Sequence, residues 1–211
     1  MVKFKRLDLK QEIHKRHGAN LPHWRQDRAT YAITNRLYDS LPADVVQRYQ
    51  FERNHIIQTA KQLNRGLSIQ EQRRLDRLFS ERIEAYLDAG QGDCWLARPE
   101  IAQIVKDAIF HFEGRRYAII AWCIMPNHWH VMLQPIPPHE LSQILHSWNS
   151  FSAKQCNKLL GRTGTFWQGE PYDHIVRDEE DYYNQVQYIL NNPASAQLRA
   201  WPWVGLGRGA M

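Results

Sequence analysis

Two histidines separated by one residue are the strongest chemical signal in this chain. Read as a β-strand, the stretch MPNHWHVMLQ, which begins at Met125, places His128 and His130 on one face and the apolar residues Trp129, Val131 and Leu133 on the other. Two residues of strand separate the two imidazoles by about 7 Å. Neutral imidazole is the commonest protein ligand for metals. The spacing therefore predicts a site for one divalent ion, at the start of a strand that follows the turn dipeptide Pro126-Asn127.

A tyrosine near the carboxyl end offers a second kind of chemistry. On a helix that begins at Asp178, Tyr188 falls on the polar side, away from an apolar face formed by Tyr182, Val186, Ile189 and Leu190. Such a tyrosine is either an ordinary surface residue or a nucleophile, because a phenol forms covalent intermediates when a metal or a base assists it. Asn192 shares its side of the helix one turn later. The Asn192 amide oxygen is able to join a metal sphere, or the residue simply ends the helix before Pro193.

The elements that position these residues follow from periodicity and from helix-capping signals. Outside a helical region at about 43–98, the chain predicts strand, helix, strand, strand, helix, strand and helix, with limits near 29–37, 99–112, 117–125, 128–134, 139–160, 172–176 and 178–191. This order predicts an α+β fold, a ferredoxin-like split βαβ arrangement with an antiparallel central sheet and an added C-terminal helix. The last residues, from Trp201 to Leu206, show no regular pattern.

The length of 211 residues fits one domain with an insertion. We expect a basic arm over 1–28, a domain over 29–198 that contains the helical insertion, and a tail over 199–211. The arm has eight Lys and Arg against three acids, which equals the whole net charge of +5. A basic arm on a neutral body indicates a polyanionic partner such as nucleic acid, although a solvated charged tail is equally common.

The compartment is predicted from what the composition excludes. Three widely spaced cysteines, Cys94, Cys123 and Cys156, make neither a disulfide framework nor a zinc ribbon. No apolar run approaches the 18 residues of a membrane span, and the charged N-terminus does not have the pattern of a secretory signal. We therefore expect a protein of the reducing cytoplasm with no membrane partner.

The two motifs together resemble a known family. The sequence His128-Trp129-His130 after Met-Pro-Asn, followed about 60 residues later by the run YILNNP from Tyr188, is similar to the single-tyrosine HUH transposases, and most of all to the bacterial REP-associated tyrosine transposases of the IS200-like group. The segments FWQ at Phe166, YDHIVRD at Tyr172 and LPHW at Leu21 are similar to that family too. The resemblance covers about residues 20–198, and its fold is of the HUH endonuclease type.

The resemblance implies a role for each matching residue. His128, His130 and Asn192 would bind one Mg²⁺ or Mn²⁺ ion, although mobile relatives usually have Gln at the place of Asn192. Tyr188 would be the nucleophile of a transesterase that nicks and rejoins single-stranded DNA beside palindromic, REP-like hairpins through a 5′-phosphotyrosine. Phosphate contact and base stacking would involve a set of basic and aromatic residues, namely Lys3, Lys5, Arg6, Trp24, Arg25, Trp148, Lys154 and Trp167.

The resemblance also implies a bacterial, nucleoid-associated protein. It leaves the oligomeric state open between a monomer and a homodimer, since Tyr188 would serve either its own histidine pair or that of a partner subunit. The sequence departs from the family at Ala194–Leu198, where Val-Lys-Ala-Gly-Leu is more usual, and this affects local DNA contacts.

Three other functions compete with this one. A non-catalytic regulator that binds hairpin DNA would use the same fold, but it has no reason to keep a nucleophile. A metal-dependent amide hydrolase with a His-x-His strand is usually a barrel of 250 residues or more with the motif near its start. A structural or interaction module would leave both Tyr188 and the basic arm unexplained.

Overall fold

The computed structural model describes residues 14–17, 22–25, 29–68, 70–71, 74, 84–169 and 171–208. The chain forms two compact units, one from Met1–Tyr38 with Trp95–Met211 and the other from Asp39–Cys94. The described elements are, in chain order, β1 (His14–His17), β2 (Pro22–Arg25), β3 (Tyr31–Arg36), α1 (Ala43–Gln62), α2 (Glu84–Asp88), a 3₁₀ turn (Trp95–Ala97), α3 (Pro99–Phe110), β4 (Tyr117–Ile124), β5 (His128–Pro135), α4 (Leu141–Leu159), β6 (Tyr172–Ile175), α5 (Glu179–Ser195) and β7 (Val204–Leu206).

The first unit is built on a five-stranded antiparallel sheet with the strand order β6-β3-β5-β4-β7. Leaving out β7, the chain runs β3, α3, β4, β5, α4, β6. Strand β5 lies between β3 and β4, so each strand–helix–strand connection passes over a neighbouring strand. This is the split βαβ topology, and it confirms the predicted α+β, ferredoxin-like fold with an antiparallel central sheet. The helix added after β6 is α5.

The two faces of this sheet differ in what covers them. On the tryptophan face, named for Trp129, Trp148 and Trp167, helices α3 and α4 pack against the apolar side of β5. On the histidine face, which includes His128, His130 and Met132, helix α5 packs through Val186 and Ile189. The alternation predicted for β5 is therefore confirmed, and it places the histidine pair beneath α5.

The helix starts follow the expected local chemistry. Pro99 occupies the first turn of α3, where its missing N–H is harmless. Helix α4 begins with a capping box between Glu140 and Gln143, and the side chain of Asp178 accepts a hydrogen bond from the Asp181 N–H at the start of α5. These local signals explain why the predicted starts of the three helices agree with the structure within about two residues.

The carboxyl end of α5 corrects one expectation. Pro193 was predicted to end the helix, but α5 continues to Ser195 with Pro193 inside it. Proline removes one i→i−4 hydrogen bond near the helix end, where the last turn has few such bonds to lose. Buried packing of Asn192 and Pro193 compensates for the missing bond. Asn192 is consequently a helical residue.

The tail corrects a second expectation. Residues 204–206 were assigned no regular structure, yet they form β7, which pairs with β4 from Ala121 to Cys123. The Trp201 indole N–H also donates to the Ile124 carbonyl at 2.7 Å. The hairpin of β1 and β2 was likewise not predicted. These strands are three or four residues long, too short for a period-2 pattern to be detected.

The second unit, Asp39–Cys94, contains α1 and α2 among its described residues. The predicted break after α1 is confirmed, because the Ser68 and Glu71 side chains bond each other's backbone N–H groups at 3.2 and 2.8 Å, which is a capping box. Gly92 has a φ of +87° and lies so close to Asp39 that a Cβ would contact its carbonyl oxygen. Within the residues described, no helix is long and apolar enough to cross a membrane. The remaining domain limits stay a prediction.

Candidate metal and nucleophile site

A tight turn presents the histidine pair at the start of β5. The Met125 N–H donates to the His128 carbonyl at 2.8 Å, and the carbonyls of Pro126 and Asn127 accept from Leu96 and Leu37. Backbone bonds on three sides therefore fix the position of the turn. The two imidazoles lie edge to face with their centroids 4.7 Å apart, and both residues are 1% exposed.

Each histidine has a hydrogen-bond partner on its Nδ1 atom. The Asn127 Oδ1 atom lies 2.7 Å from His128 Nδ1, and the Thr34 hydroxyl lies 2.8 Å from His130 Nδ1. An amide oxygen only accepts, so Nδ1 of His128 carries the proton and its Nε2 keeps a lone pair. The Nε2 atom of His130 is buried and has no hydrogen-bond partner. Such fixation of one ring nitrogen, with the other left available, is typical of metal-binding histidines.

The pair is neutral at physiological pH. Burial lowers the pKa of His130 from 6.5 to about 3. Burial, together with the nearby charges of His130 and Arg36, lowers the pKa of His128 well below its ordinary value. The cause is the loss of hydration, which disfavours the charged imidazolium. A neutral imidazole is the form that binds a metal, so no proton has to leave before binding.

Helix α5 brings the predicted tyrosine to this pair. The ring of Tyr188 lies edge to face on the imidazole of His130, with centroids 5.2 Å apart. Tyr188 is half-buried and packs beside the apolar residues of the histidine face, so its assignment to a polar, exposed side of the helix was wrong. The helical wheel misplaced it because α5 lies on a sheet whose own polar residues face the helix.

Asn192 follows one turn later on the same helix. It is 3% exposed, and its side-chain oxygen Oδ1 is buried without a hydrogen-bond partner. A buried amide oxygen without a donor costs about 1–3 kcal/mol. Ligation of a cation would offset that cost, and the same holds for His130 Nε2. These two orphaned atoms fit a metal site.

The donor set is incomplete without a further ligand. Two imidazoles and one amide oxygen carry no negative charge, and the described part of the chain has no group of three or more His, Cys, Asp and Glu side chains suited to a metal. Mg²⁺ and Mn²⁺ prefer oxygen ligands and keep open positions for water or phosphate. The arrangement therefore suits a metal that takes its remaining ligands from water and from an anionic substrate.

The structure corrects two of the predicted DNA contacts. Trp148 and Trp167 are 2% and 6% exposed, and both belong to the core of the tryptophan face. The Trp148 indole donates to the Tyr117 hydroxyl at 2.9 Å, and the Trp167 indole donates to the Ser152 hydroxyl at 2.9 Å. Neither ring has a free face for a base. Their type and position along the chain did not distinguish core tryptophans from stacking platforms.

The other predicted DNA contacts have different placements. Lys154 is exposed on α4, the helix that covers the opposite face of the sheet from the histidine pair. Lys3, Lys5 and Arg6 lie outside the described residues. The side chains of Trp24 and Arg25 also lie outside them, although the backbone of both belongs to β2. These contacts stay predictions.

Sequence reasoning missed the residues that strand β3 contributes. Cα pairing places Thr34 opposite His130 and Arg36 opposite His128. It also missed His174 on β6, whose Nε2 atom lies 2.9 Å from Asp181 in the first turn of α5. Period-2 alternation in β3 would have grouped Thr34 with Arg36. The partner strand begins more than 90 residues later, and only the sheet register identifies it.

Comparison with known proteins identifies the class of this site. Residues 97–192 match the family model described as "Transposase IS200 like". This segment includes the histidine pair, Tyr188 and Asn192. The chain thus belongs, over this segment, to the IS200-like transposase family.

Two curated relatives narrow the resemblance. A Haemophilus influenzae protein, provisionally assigned as a REP-associated tyrosine transposase, is 24% identical over 124 residues, which cover 52% of this chain and 68% of the relative. The REP-associated tyrosine transposase of Escherichia coli K12 is 28% identical over 107 residues, or 48% of this chain and 62% of the relative. Within its family, the chain is therefore of the REP-associated tyrosine transposase kind.

Two solved structures show weaker likeness. A REP-associated tyrosine transposase bound to a REP hairpin has a TM-score of 0.47 at 16% identity, covering 94% of this chain and 81% of the other. A provisionally assigned transposase from Deinococcus radiodurans has a TM-score of 0.39 at 13% identity, covering 77% and 89%. With TM-scores below 0.5, neither likeness carries an argument about the site.

Proposed function

We propose that this protein is a metal-dependent single-stranded DNA transesterase that nicks and rejoins DNA beside palindromic hairpins through a 5′-phosphotyrosine intermediate. The observation that carries the proposal is the contact between the Tyr188 ring and His130, a member of a buried neutral histidine pair. A phenol next to two metal-competent imidazoles has the parts that nucleophilic catalysis on a phosphodiester needs. The REP-associated names of the relatives support hairpin DNA as the partner.

The proposed cleavage step balances without a co-reactant. The Tyr188 phenol oxygen attacks the scissile phosphorus, the bond from phosphorus to the 3′ oxygen breaks, and the leaving 3′ oxygen takes up the proton that the phenol gives up. The products are a 5′-phosphotyrosine and a free 3′-hydroxyl. Attack by another 3′-hydroxyl on the phosphotyrosine reverses these changes and rejoins the strands.

His128, His130 and Asn192 would hold the cation, a magnesium or manganese ion. When bound, it supplies Lewis-acid polarisation and orientation of the scissile phosphate. The protein residues do the positioning: Asn127 and Thr34 fix the two imidazole rings, and α5 fixes Tyr188 against His130. This rigidity places the nucleophile before the substrate arrives.

The proposed reaction takes place within one protomer, because Tyr188 contacts His130 of the same chain. A partner subunit is not needed to complete the set of residues. Acting on DNA, the protein would be associated with the nucleoid.

Covalent capture tests the proposal. Labelled single-stranded hairpin oligonucleotides are incubated with the protein and Mn²⁺ or Mg²⁺, and adducts are separated on a denaturing gel. We expect an adduct that disappears with a chelator and in Tyr188→Phe. Tyr183→Phe serves as a matched control on the same helix and retains the adduct, since Tyr183 is 58% exposed.

Two results would contradict the proposal. Retention of hairpins without an adduct, across several oligonucleotides and both metals, would replace it with a binding-only regulator. An adduct that survives in Tyr188→Phe would mean another nucleophile, and Tyr182 would be tested first.

A further inference from the structure

Arg36 lies beside the histidine pair but has no role in the chemistry described so far. It is the last residue of β3, its Cα pairs with that of His128, and it is 8% exposed. The next residue, Leu37, belongs to the core of the tryptophan face. Alternation along the strand therefore directs Arg36 to the histidine face.

The charge of Arg36 acts on the site. After burial and the neighbouring His130, it is the third cause that lowers the pKa of His128. A guanidinium stays protonated in proteins, so this positive charge is permanent. A buried cation next to two metal-competent imidazoles weakens metal binding by repulsion unless an anion joins the site.

The donor set for the metal cannot supply that anion. His128, His130 and Asn192 are all neutral donors, so a bound divalent ion would keep its full charge within reach of Arg36. A phosphodiester carries one negative charge on two non-bridging oxygens. Guanidinium groups bind such oxygens with paired N–H donors. The combination of a neutral ligand set and a buried arginine therefore matches a phosphodiester in both charge and geometry.

A second observation points to the same corner of the site. The Gln168 backbone N–H donates to the Arg36 carbonyl at 2.9 Å, so Gln168 is the direct neighbour of Arg36 on the side away from β5. The side-chain oxygen Oε1 of Gln168 is buried and has no hydrogen-bond partner. A polar atom left in this state next to a buried arginine indicates a place for a polar ligand.

We propose that Arg36 binds the scissile phosphodiester, donating hydrogen bonds to a non-bridging oxygen and stabilising the charge that develops there as the phenol attacks. The inference rests on the proposed function and names the residue that recognises its substrate's phosphate. Loss of one such donor typically lowers the rate of a reaction about 10²- to 10³-fold. Arg36 would thus be a catalytic residue supplied by β3.

A methylphosphonate scan tests this contact without requiring catalysis. Tyr188→Phe protein is mixed with Mn²⁺ and hairpin oligonucleotides in which one phosphate at a time, along the flanking single strand, is replaced by an uncharged methylphosphonate. We expect one position to lower the affinity about tenfold. In Arg36→Gln/Tyr188→Phe the penalty at that position disappears, and in Arg115→Gln/Tyr188→Phe it is retained. Arg115 is a matched control because it is exposed in the turn between α3 and β4.

Two further measurements use the same variants with Tyr188 restored. Arg36→Gln should form the adduct about 10²- to 10³-fold more slowly, and Arg36→Lys should recover part of the rate because it keeps the charge but not the paired donors. Titration calorimetry without DNA should show that Arg36→Gln binds Mn²⁺ several-fold more tightly, since a repulsive charge has been removed. A merely structural arginine would give weaker Mn²⁺ binding instead.

The outcomes separate the two proposals. A methylphosphonate penalty that remains in the Arg36→Gln protein, or Mn²⁺ binding that becomes weaker, would overturn the role of Arg36 even if wild type forms the adduct. A penalty that depends on Arg36, in a protein that forms no adduct, would support phosphate binding by Arg36 while the transesterase function fails. Thermal unfolding of each variant identifies any that does not fold, and for such a variant Arg36→Lys provides the comparison.

Discussion

The two faces of the central sheet treat buried polar groups in opposite ways. On the tryptophan face, the Tyr117 hydroxyl donates to the Ile109 carbonyl at 2.7 Å and accepts from the Trp148 indole at 2.9 Å. On the histidine face, His130 Nε2 and Asn192 Oδ1 are buried without partners. The same strand, β5, contributes to both faces through alternate residues.

This difference separates stability from function within one sheet. A buried polar atom without a partner costs about 1–3 kcal/mol, so a fold keeps such atoms only where a ligand is to satisfy them. The aromatic cluster under α3 and α4 provides the packing that offsets this cost. We therefore expect changes on the tryptophan face to alter unfolding, and changes on the histidine face to alter metal and DNA chemistry.

The largest effect on stability is expected from Trp148→Ala. It removes a fully packed indole and its bond to the Tyr117 hydroxyl, and should lower the free energy of unfolding by about 3–5 kcal/mol. Urea unfolding measures the change, and Trp148→Phe provides a milder step. The rate of adduct formation per folded molecule should stay near that of wild type. A rate that falls while the fold remains intact would break the division between the two faces.

Acid should destabilise the protein through the histidine face. Native His128 and His130 stay neutral because their pKa values are lowered, whereas unfolded histidines take up protons below about pH 6.5. The unfolded state then binds more protons, so the free energy of unfolding falls as pH drops from about 6.5 towards 3. Between pH 7 and 5 we expect about 2 kcal/mol per histidine in metal-free protein.

Urea unfolding at several pH values, with a chelator present, measures this slope. His130→Gln should have a shallower slope than wild type, while substitution of His111, which is exposed, should leave it unchanged. Equal slopes in all three proteins would mean that the pair is protonated in the native state.

Thr34→Val tests how the histidine face orients its ligands. Valine has nearly the same shape as threonine but lacks the hydroxyl that bonds His130 Nδ1. Loss of such an outer partner typically lowers metal affinity about 10- to 100-fold. Calorimetric titration with Mn²⁺ measures the change, and Thr59→Val, whose hydroxyl bonds only the His55 carbonyl within α1, is the control. Unchanged affinity would show that the imidazole needs no such partner.

The smallest effect is expected where α5 is attached to β6. Burial tends to raise the pKa of Asp181, but hydrogen bonds and charge from His174, followed by those of Arg177, more than offset this and lower it. A lowered carboxyl pKa contributes stability above the unfolded value near 3.9, and that contribution is lost as pH falls through the native value. Asp181→Asn should therefore cost about 1–2 kcal/mol at pH 7.

The same variant should slow adduct formation only moderately, because Tyr188 lies two helical turns away. Unfolding of Asp181→Asn and wild type is compared at pH 7 and pH 3, with Glu180→Gln, an exposed neighbour, as control. The difference between Asp181→Asn and wild type should shrink at pH 3. A difference that does not depend on pH would mean that the carboxylate charge plays no part.

Some features of this protein could be predicted from local sequence. The split βαβ order was read from strand and helix patterns, and the structure confirms it in the order β6-β3-β5-β4. The starts of α3, α4 and α5 were also predicted, because caps and early prolines act within one helical turn. The assignment of His128 and His130 to one face followed from the two-residue period of a strand.

Other features depend on contacts between distant segments. The burial of Trp148 and Trp167, the pairing of β7 with β4 and the approach of Tyr188 to His130 each join parts of the chain that no local pattern relates. The helical wheel placed Tyr188 on the solvent side because it considers one helix alone. Packing on the sheet reversed that placement.

The sequence by itself determined which residues are able to do chemistry, since residue type and short-range spacing decide which donors and nucleophiles share a strand or a helix. Only the tertiary structure decided which of them meet. The register between β3 and β5 placed Thr34 and Arg36 beside the histidines, and the packing of α5 placed Tyr188 and Asn192 on the same face. The physical reason is that register and packing are set by burial summed over the whole sheet, which a single segment does not encode.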